Sequence, residues 1–92
     1  MSYEILRTTQ FKKDYKQMKR RGLDVQKLEE VLRLLSEGIP LPIERRDHSL
    51  SGDYAGFREC HIESYWLLIY CIRENQLVLV CSRTGSHSDL FG

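Results

Sequence analysis

The stretch GFRECHIESYWLLIYCIRENQLVLVCSR, residues 56–83, decides the fold. It holds three apolar, β-branched and aromatic segments, Gly56 to Ile62, Tyr65 to Arg73 and Gln76 to Arg83, parted by Glu63-Ser64 and Glu74-Asn75. Breaks this short join neighbouring antiparallel strands, so a meander is expected. Asp47 to Leu50 is a further extended segment, and Ser51-Gly52-Asp53 reads as the turn that follows it.

Before this region the period of the apolar residues is helical. Phe11, Tyr15 and Met18 recur at i, i+4 and i+7 behind a capping Thr8 or Thr9, and Gly22 closes that helix. Asp24 caps a second helix with the stripe Val25, Leu28, Val31, Leu32 and Leu35, after which Gly38, Pro40 and Pro42 forbid continuation. Ser2 to Arg7 is a short strand. The order of strand, antiparallel helix hairpin and four more strands predicts an α+β domain over residues 1–92, with the helices on one side of a mainly antiparallel sheet and a short C-terminal tail.

Composition is that of one soluble domain: 92 residues, 41% hydrophobic and 29% charged. No basic region precedes a long apolar run at the N-terminus, and no later run nears the roughly 20 apolar residues of a membrane span. A cytoplasmic protein without a membrane partner is expected. Cys60, Cys71 and Cys81 are odd in number and lack C-x-x-C spacing, which points to core residues rather than a disulfide framework or metal site. The net charge of +1 hides an asymmetry: residues 1–27 hold eight Lys or Arg against three Asp or Glu. Lys12, Lys13, Lys16, Lys19, Arg20 and Arg21 crowd the first helix and could follow a phosphate backbone.

The last eleven residues, Ser82 to Gly92, mix an arginine, a Thr-Gly-Ser turn, a histidine and a terminal aromatic at the end of an apolar strand. That mixture suits phosphate chemistry: Arg83 offers a planar fork, His87 a proton carrier near neutral pH, and Phe91 a stacking face. With Glu63-Ser64 and Glu74-Asn75 at the centres of their turns, His61 falls opposite Trp66 and Trp66 opposite Arg83. One row across three strands is then expected beside the tail.

Asp47-His48-x-Leu50 with Gly52, Gly56 to Ile62, Trp66-x-Leu68-Ile69-Tyr70 and Arg83 to Phe91 together resemble the YafQ branch of the RelE toxin family, over essentially the whole chain. The resemblance implies the toxin of a type II toxin-antitoxin module, an endoribonuclease that cleaves messenger RNA in the ribosomal A site. Its implied partners are a cognate DinJ- or RelB-like antitoxin, the ribosome and, with antitoxin, operator DNA; no cofactor or metal is implied. His48, His61, Arg83, His87 and Phe91 become the functional positions, with Trp66 supporting them and the basic helix facing ribosomal RNA. His87 is assigned as general acid, His48 or His61 as base, Arg83 as phosphate clamp and Phe91 as the stacking surface. One position departs from the branch, whose Asp-Trp pair, with a catalytic Asp, is here Tyr65-Trp66. Tyr65, a phenol of ordinary pKa about 10, can donate a hydrogen bond to substrate but is a poor base, and Glu63 is a nearby replacement. Two other classes stay open: a ParE-like gyrase poison, and a catalytically inactive antitoxin-binding subunit.

Overall fold

The computed structural model describes residues 2–92; Met1, the first position of the expected domain, lies outside them. Its elements run β1 (Glu4–Arg7), α1 (Thr9–Arg20), α2 (Val25–Ser36), β2 (His48–Ser49), β3 (Arg58–Glu63), β4 (Trp66–Arg73), β5 (Val78–Gly85) and α3 (His87–Phe91). The five strands form one sheet in the order β1-β5-β4-β3-β2. β2 to β5 are antiparallel, and β1 joins β5 in parallel.

The helices begin and end where the sequence places them. Thr8 accepts from the Phe11 N–H and Asp24 from the Gln26 N–H, each satisfying a backbone donor of the first turn. α1 ends in a Schellman motif: Gly22, at φ 83°, donates to the Lys19 carbonyl and Leu23 to that of Met18. The two helices bury Phe11, Met18, Leu28, Val31, Leu32 and Leu35 against the Cys60, Ile62, Trp66, Leu68, Tyr70, Leu79 and Cys81 face of the sheet.

β4 has no solvent-facing side. Trp66 to Cys71 are all buried, so the sheet needs a second cover. The tail supplies it. Instead of a flexible turn at Thr84-Gly85-Ser86, β5 continues through Gly85 and Ser86 caps α3, whose Leu90 packs on Leu67 and Ile69. Burying one such leucine stabilises by roughly 1.5–3 kcal/mol.

The expected His61-Trp66-Arg83 row does not form. The first turn is centred on Ser64-Tyr65 rather than Glu63-Ser64, and Ile62 is an extra residue in β3, so Glu63 pairs with Trp66 and His61 with Leu67. The second turn takes four residues, Glu74 to Leu77, with Leu77 in the left-handed region at φ 55°. Ser82 is then a further extra residue, and Arg83 pairs with Ile69. Side chains alternate along a strand, so these shifts put Trp66 on the helix-covered face and His61 and Arg83 on the other.

α1 stabilises the bulge at Ser82. The β1 ladder on β5 ends at Cys81, leaving the backbone beyond it without a strand partner on that side, while β4 continues to pair on the other. The Thr8 hydroxyl donates to the Ser82 carbonyl at 2.9 Å, and Asp14 accepts the Thr84 N–H at 3.2 Å. These buried backbone groups are therefore paired despite the break.

Trp66 Nε1 donates to Thr84 Oγ1 at 2.8 Å, deep in the core. Trp66→Phe removes that donor and part of the ring, and is expected to lower unfolding stability by about 1–3 kcal/mol in urea titration. Native Trp66 fluorescence should resist iodide; quenching like that of free tryptophan would contradict this placement.

Candidate active site

On the face away from the helix pair, the register sets two rows of side chains. His48, Glu59, Ile69 and Arg83 are successive cross-strand partners on β2, β3, β4 and β5. Beside them lie His61, Leu67 and Gly85. Gly85 matters because a Cβ there would stand 2.9 Å from that of Asp89, so its missing side chain lets α3 fold back.

A cleft of about 90 Å³ opens where α3 meets the sheet, lined by Glu59, His61, Ser64, Tyr65, Leu67 and His87. Three predicted site residues, His61, Tyr65 and His87, are thus brought together. Phe91 adjoins them, its ring centroid 4.9 Å from that of His87, and Tyr54 meets Phe91 edge-on at 5.7 Å. Phe91 is 41% exposed, which leaves ring surface for a base. His61 also borders a neighbouring cavity of about 290 Å³ with Arg45 and Arg46.

Glu59 is the carboxylate of this cleft. It is 6% exposed, and its Oε2 has no hydrogen-bond partner among the described residues. A buried acceptor left without a donor is costly in the folded protein. Its Oε1 lies 3.4 Å from His48 Nε2. The other ring nitrogen of His48 is 2.6 Å from the Arg46 carbonyl, which can only accept, so Nδ1 carries a hydrogen. Protonation of Nε2 turns the contact with Glu59 into an ion pair. His48 therefore reaches the cleft through Glu59. The start of β2, which carries it, is held by Asp47, which accepts from Arg58 at 3.2 Å and from the Tyr70 hydroxyl.

Arg83 stands at the edge of this face. Its Nε and Nη2 donate to Asp14 of α1 at 2.8 and 3.1 Å, and the hydrogen-bonded carboxylate raises the guanidinium above its ordinary value against the cost of burial, with Tyr54 adding a smaller effect. Nη1 lies outside that fork.

The remaining predicted residues lie elsewhere. Trp66 is in the core beneath the helices. Glu63, the replacement considered for the missing Asp, donates no group to the cleft; it pairs with Lys27 at 3.1 Å. Lys12, Lys13, Lys16, Lys19 and Arg20 are exposed around the outer half of α1. Arg21 instead binds Asp89 of α3 at 2.7 and 3.0 Å. Sequence reasoning missed Glu59, Tyr54 and Asp14. Glu59 shares its face with His61 by simple alternation, and Ser86-x-x-Asp89 is a visible capping-box pattern for α3.

A helix pair on one sheet face, and a histidine-lined cleft under a short helix on the other, define a small α+β domain. Residues 3–92 match the family described as the bacterial toxin of type II toxin-antitoxin system, YafQ, and the chain belongs to that family. It is 39% identical over 84 residues to the mRNA interferase toxin YafQ of Escherichia coli K12, covering 90% of this chain and 89% of that one. The crystal structure of YafQ from E. coli BL21(DE3) matches with a TM-score of 0.91 at 36% identity, over 98% of this chain and 99% of that one. The toxin-antitoxin complex of E. coli DinJ and YafQ matches with a TM-score of 0.90 at 36% identity over the full length of both chains.

Asp89 gives the site an acid dependence. Hydrogen bonds from Arg21 first, then from Ser86, hold its carboxyl well below the usual range. A depressed value in the folded state contributes stability that is present above the unfolded pKa, near 3.9, and lost as pH falls through the folded one. The Leu90 and Phe91 NMR signals should therefore hold their native positions through pH 4 and move only in stronger acid. Asp89→Asn should show displaced tail signals already at neutral pH; native positions in that variant would contradict the tie.

Proposed function

We propose that the protein is an mRNA interferase, a toxin that cleaves messenger RNA on the translating ribosome by acid-base chemistry of its own side chains. The observation that carries this is the convergence of two histidines and a buried carboxylate, His61, His87 and Glu59, in one cleft beside a stacking ring. A protein acting by binding alone, such as a gyrase poison or an inactive antitoxin-binding subunit, needs no such set.

The residues fit the steps of ribose-assisted cleavage. A base takes the proton of the 2′-hydroxyl, and the freed oxygen attacks the adjacent phosphorus. Negative charge develops on the phosphorane oxygens, and the 5′-oxygen leaves with a proton from an acid. His61, which lines the cleft itself, is the base, with Glu59 accepting from the ribose and His48 orienting Glu59. His87 at the first turn of α3 is the acid. Arg83 offers Nη1 to the phosphate while Asp14 holds the rest of its fork. Phe91 stacks a base splayed out of the message, worth about 1–3 kcal/mol. Tyr65, 58% exposed at the cleft rim, donates a hydrogen bond to the RNA and takes no proton. The products are a 2′,3′-cyclic phosphate and a 5′-hydroxyl end.

Lys12, Lys13, Lys16, Lys19 and Arg20 dock the toxin on ribosomal RNA through counterion release. A DinJ-like antitoxin silences it, and the pair binds operator DNA. No helix among the described residues is long and apolar enough to cross a membrane; the cytoplasm, where ribosomes translate, is the place of action.

Expression without antitoxin, followed by mapping of message ends on translating ribosomes, tests this reading. His61→Ala, Arg83→Ala and His87→Ala should each reduce cleavage by about 100- to 10,000-fold. Growth arrest by the native toxin with the message intact would refute it.

A further inference from the structure

We propose that Asp14 of α1 and Arg21, the residue that caps the C-terminal end of that helix, are positioning residues for RNA cleavage, Asp14 fixing the fork of Arg83 and Arg21 fixing, through Asp89, the short helix that carries His87 and Phe91. The inference rests on the assignment of Arg83, His87 and Phe91 to the cleft.

Residues 14 and 21 are seven apart, nearly two turns, and so lie on one stripe of α1. Both point at the catalytic edge. Asp14 is 8% exposed and fully engaged: Arg83 donates to both of its oxygens, Thr84 N–H to Oδ2, and Gln10 to Oδ1 at 3.0 Å. A guanidinium has five N–H donors in a rigid fork. Asp14 spends two of them and so fixes the plane in which the others, including both on Nη1, can meet a phosphate. The contact falls just after the bulge at Ser82, the kind of irregularity that re-aims a side chain.

Arg21 acts on the other wall of the cleft. A helix of five residues has no stability of its own in water, so contacts from outside set its pose. Leu90 fixes its depth on Leu67 and Ile69, but one apolar contact leaves rotation about that anchor open. The bidentate Arg21–Asp89 pair supplies the second point. Asp89 lies between His87 and Phe91, and its Oδ2 also accepts the Ser86 N–H at 2.8 Å, so the pair bears directly on both functional side chains. α1 thus has two separate tasks: its outer half presents lysines to solvent, and this stripe aligns the site.

The test is the rate of cleavage of one messenger RNA on purified ribosomes by Asp14→Asn, Arg21→Gln and Arg21→Lys toxins, with Arg83→Lys and His87→Gln alongside and folding followed by circular dichroism. Asp14→Asn and Arg21→Gln are expected to lose about 10- to 100-fold in kcat, with KM and the salt dependence of binding unchanged. Arg21→Lys, which keeps the charge but not the fork, is expected to recover only part of that loss. Should Asp14→Asn fail to fold, Asp14→Glu, which displaces the carboxylate by one methylene, is expected to show the same kcat loss. A raised KM and a salt slope reduced by about one in Arg21→Gln, at native kcat, would overturn the proposal by making Arg21 an RNA-docking residue. Native kcat in Arg21→Gln and in the folded Asp14 variant, with Arg83→Lys and His87→Gln inactive, would overturn positioning while leaving the cleft assignment intact. Full activity in Arg83→Lys and His87→Gln would overturn the cleft assignment itself.

Discussion

A strand buried on both faces governs the architecture. Trp66 to Cys71 of β4 expose almost nothing, so one layer of cover is not enough, and the chain provides two of very different size. Two twelve-residue helices cover one face. Five residues of α3, anchored by Leu90, cover part of the other. The smaller cover leaves Glu59, His61 and His87 around a cleft instead of sealing them in, so the same imbalance that completes the core also opens the site.

Two extra residues tune that arrangement. Ile62 in β3 and Ser82 in β5 shift the ladders so that His61 and Arg83 share the face away from the helix pair while Trp66 stays with the helices. A bulge leaves backbone groups without ladder partners, and the sequence satisfies them from α1 through Thr8 and Asp14. The helix that caps the core thus also completes the strand bearing Arg83. Its ion pair with Arg83 is largely withdrawn from solvent, unlike the surface pairs of Arg33 with Glu30 and Glu37, which water and salt screen.

Much of this was legible in the sequence. Capping residues Thr8 and Asp24, the glycine stops, and the change from helical to alternating period carried the element order and helix limits, because these signals are local. Register was not legible. It depends on turn length and bulges, and neither Ser64-Tyr65 nor Leu77 carries the Asn-Gly or Asp-Gly chemistry that would announce a turn. That one error put Trp66 beside His61 and Arg83. Asp14 was beyond reach for another reason: its partner Arg83 is 69 residues away, and an acid among lysines on a helix reads locally as surface charge. The histidines, Arg83 and Phe91 were singled out from residue chemistry and the resemblance; that His61 and His87 share a cleft, with His48 one carboxylate removed, is a property of the fold.

The proposed chemistry lies on the sheet face away from the helix pair, and the role proposed for the basic outer half of α1 is to bring RNA near. The structure of the toxin bound to a short RNA made uncleavable by a 2′-deoxy sugar at the scissile position tests that most directly. The account predicts the scissile phosphate in the Glu59, His61 and His87 cleft, within hydrogen-bond reach of Arg83 Nη1, and a base stacked on Phe91. A phosphate held instead along Lys12, Lys16 and Lys19, with the cleft unoccupied, would contradict it.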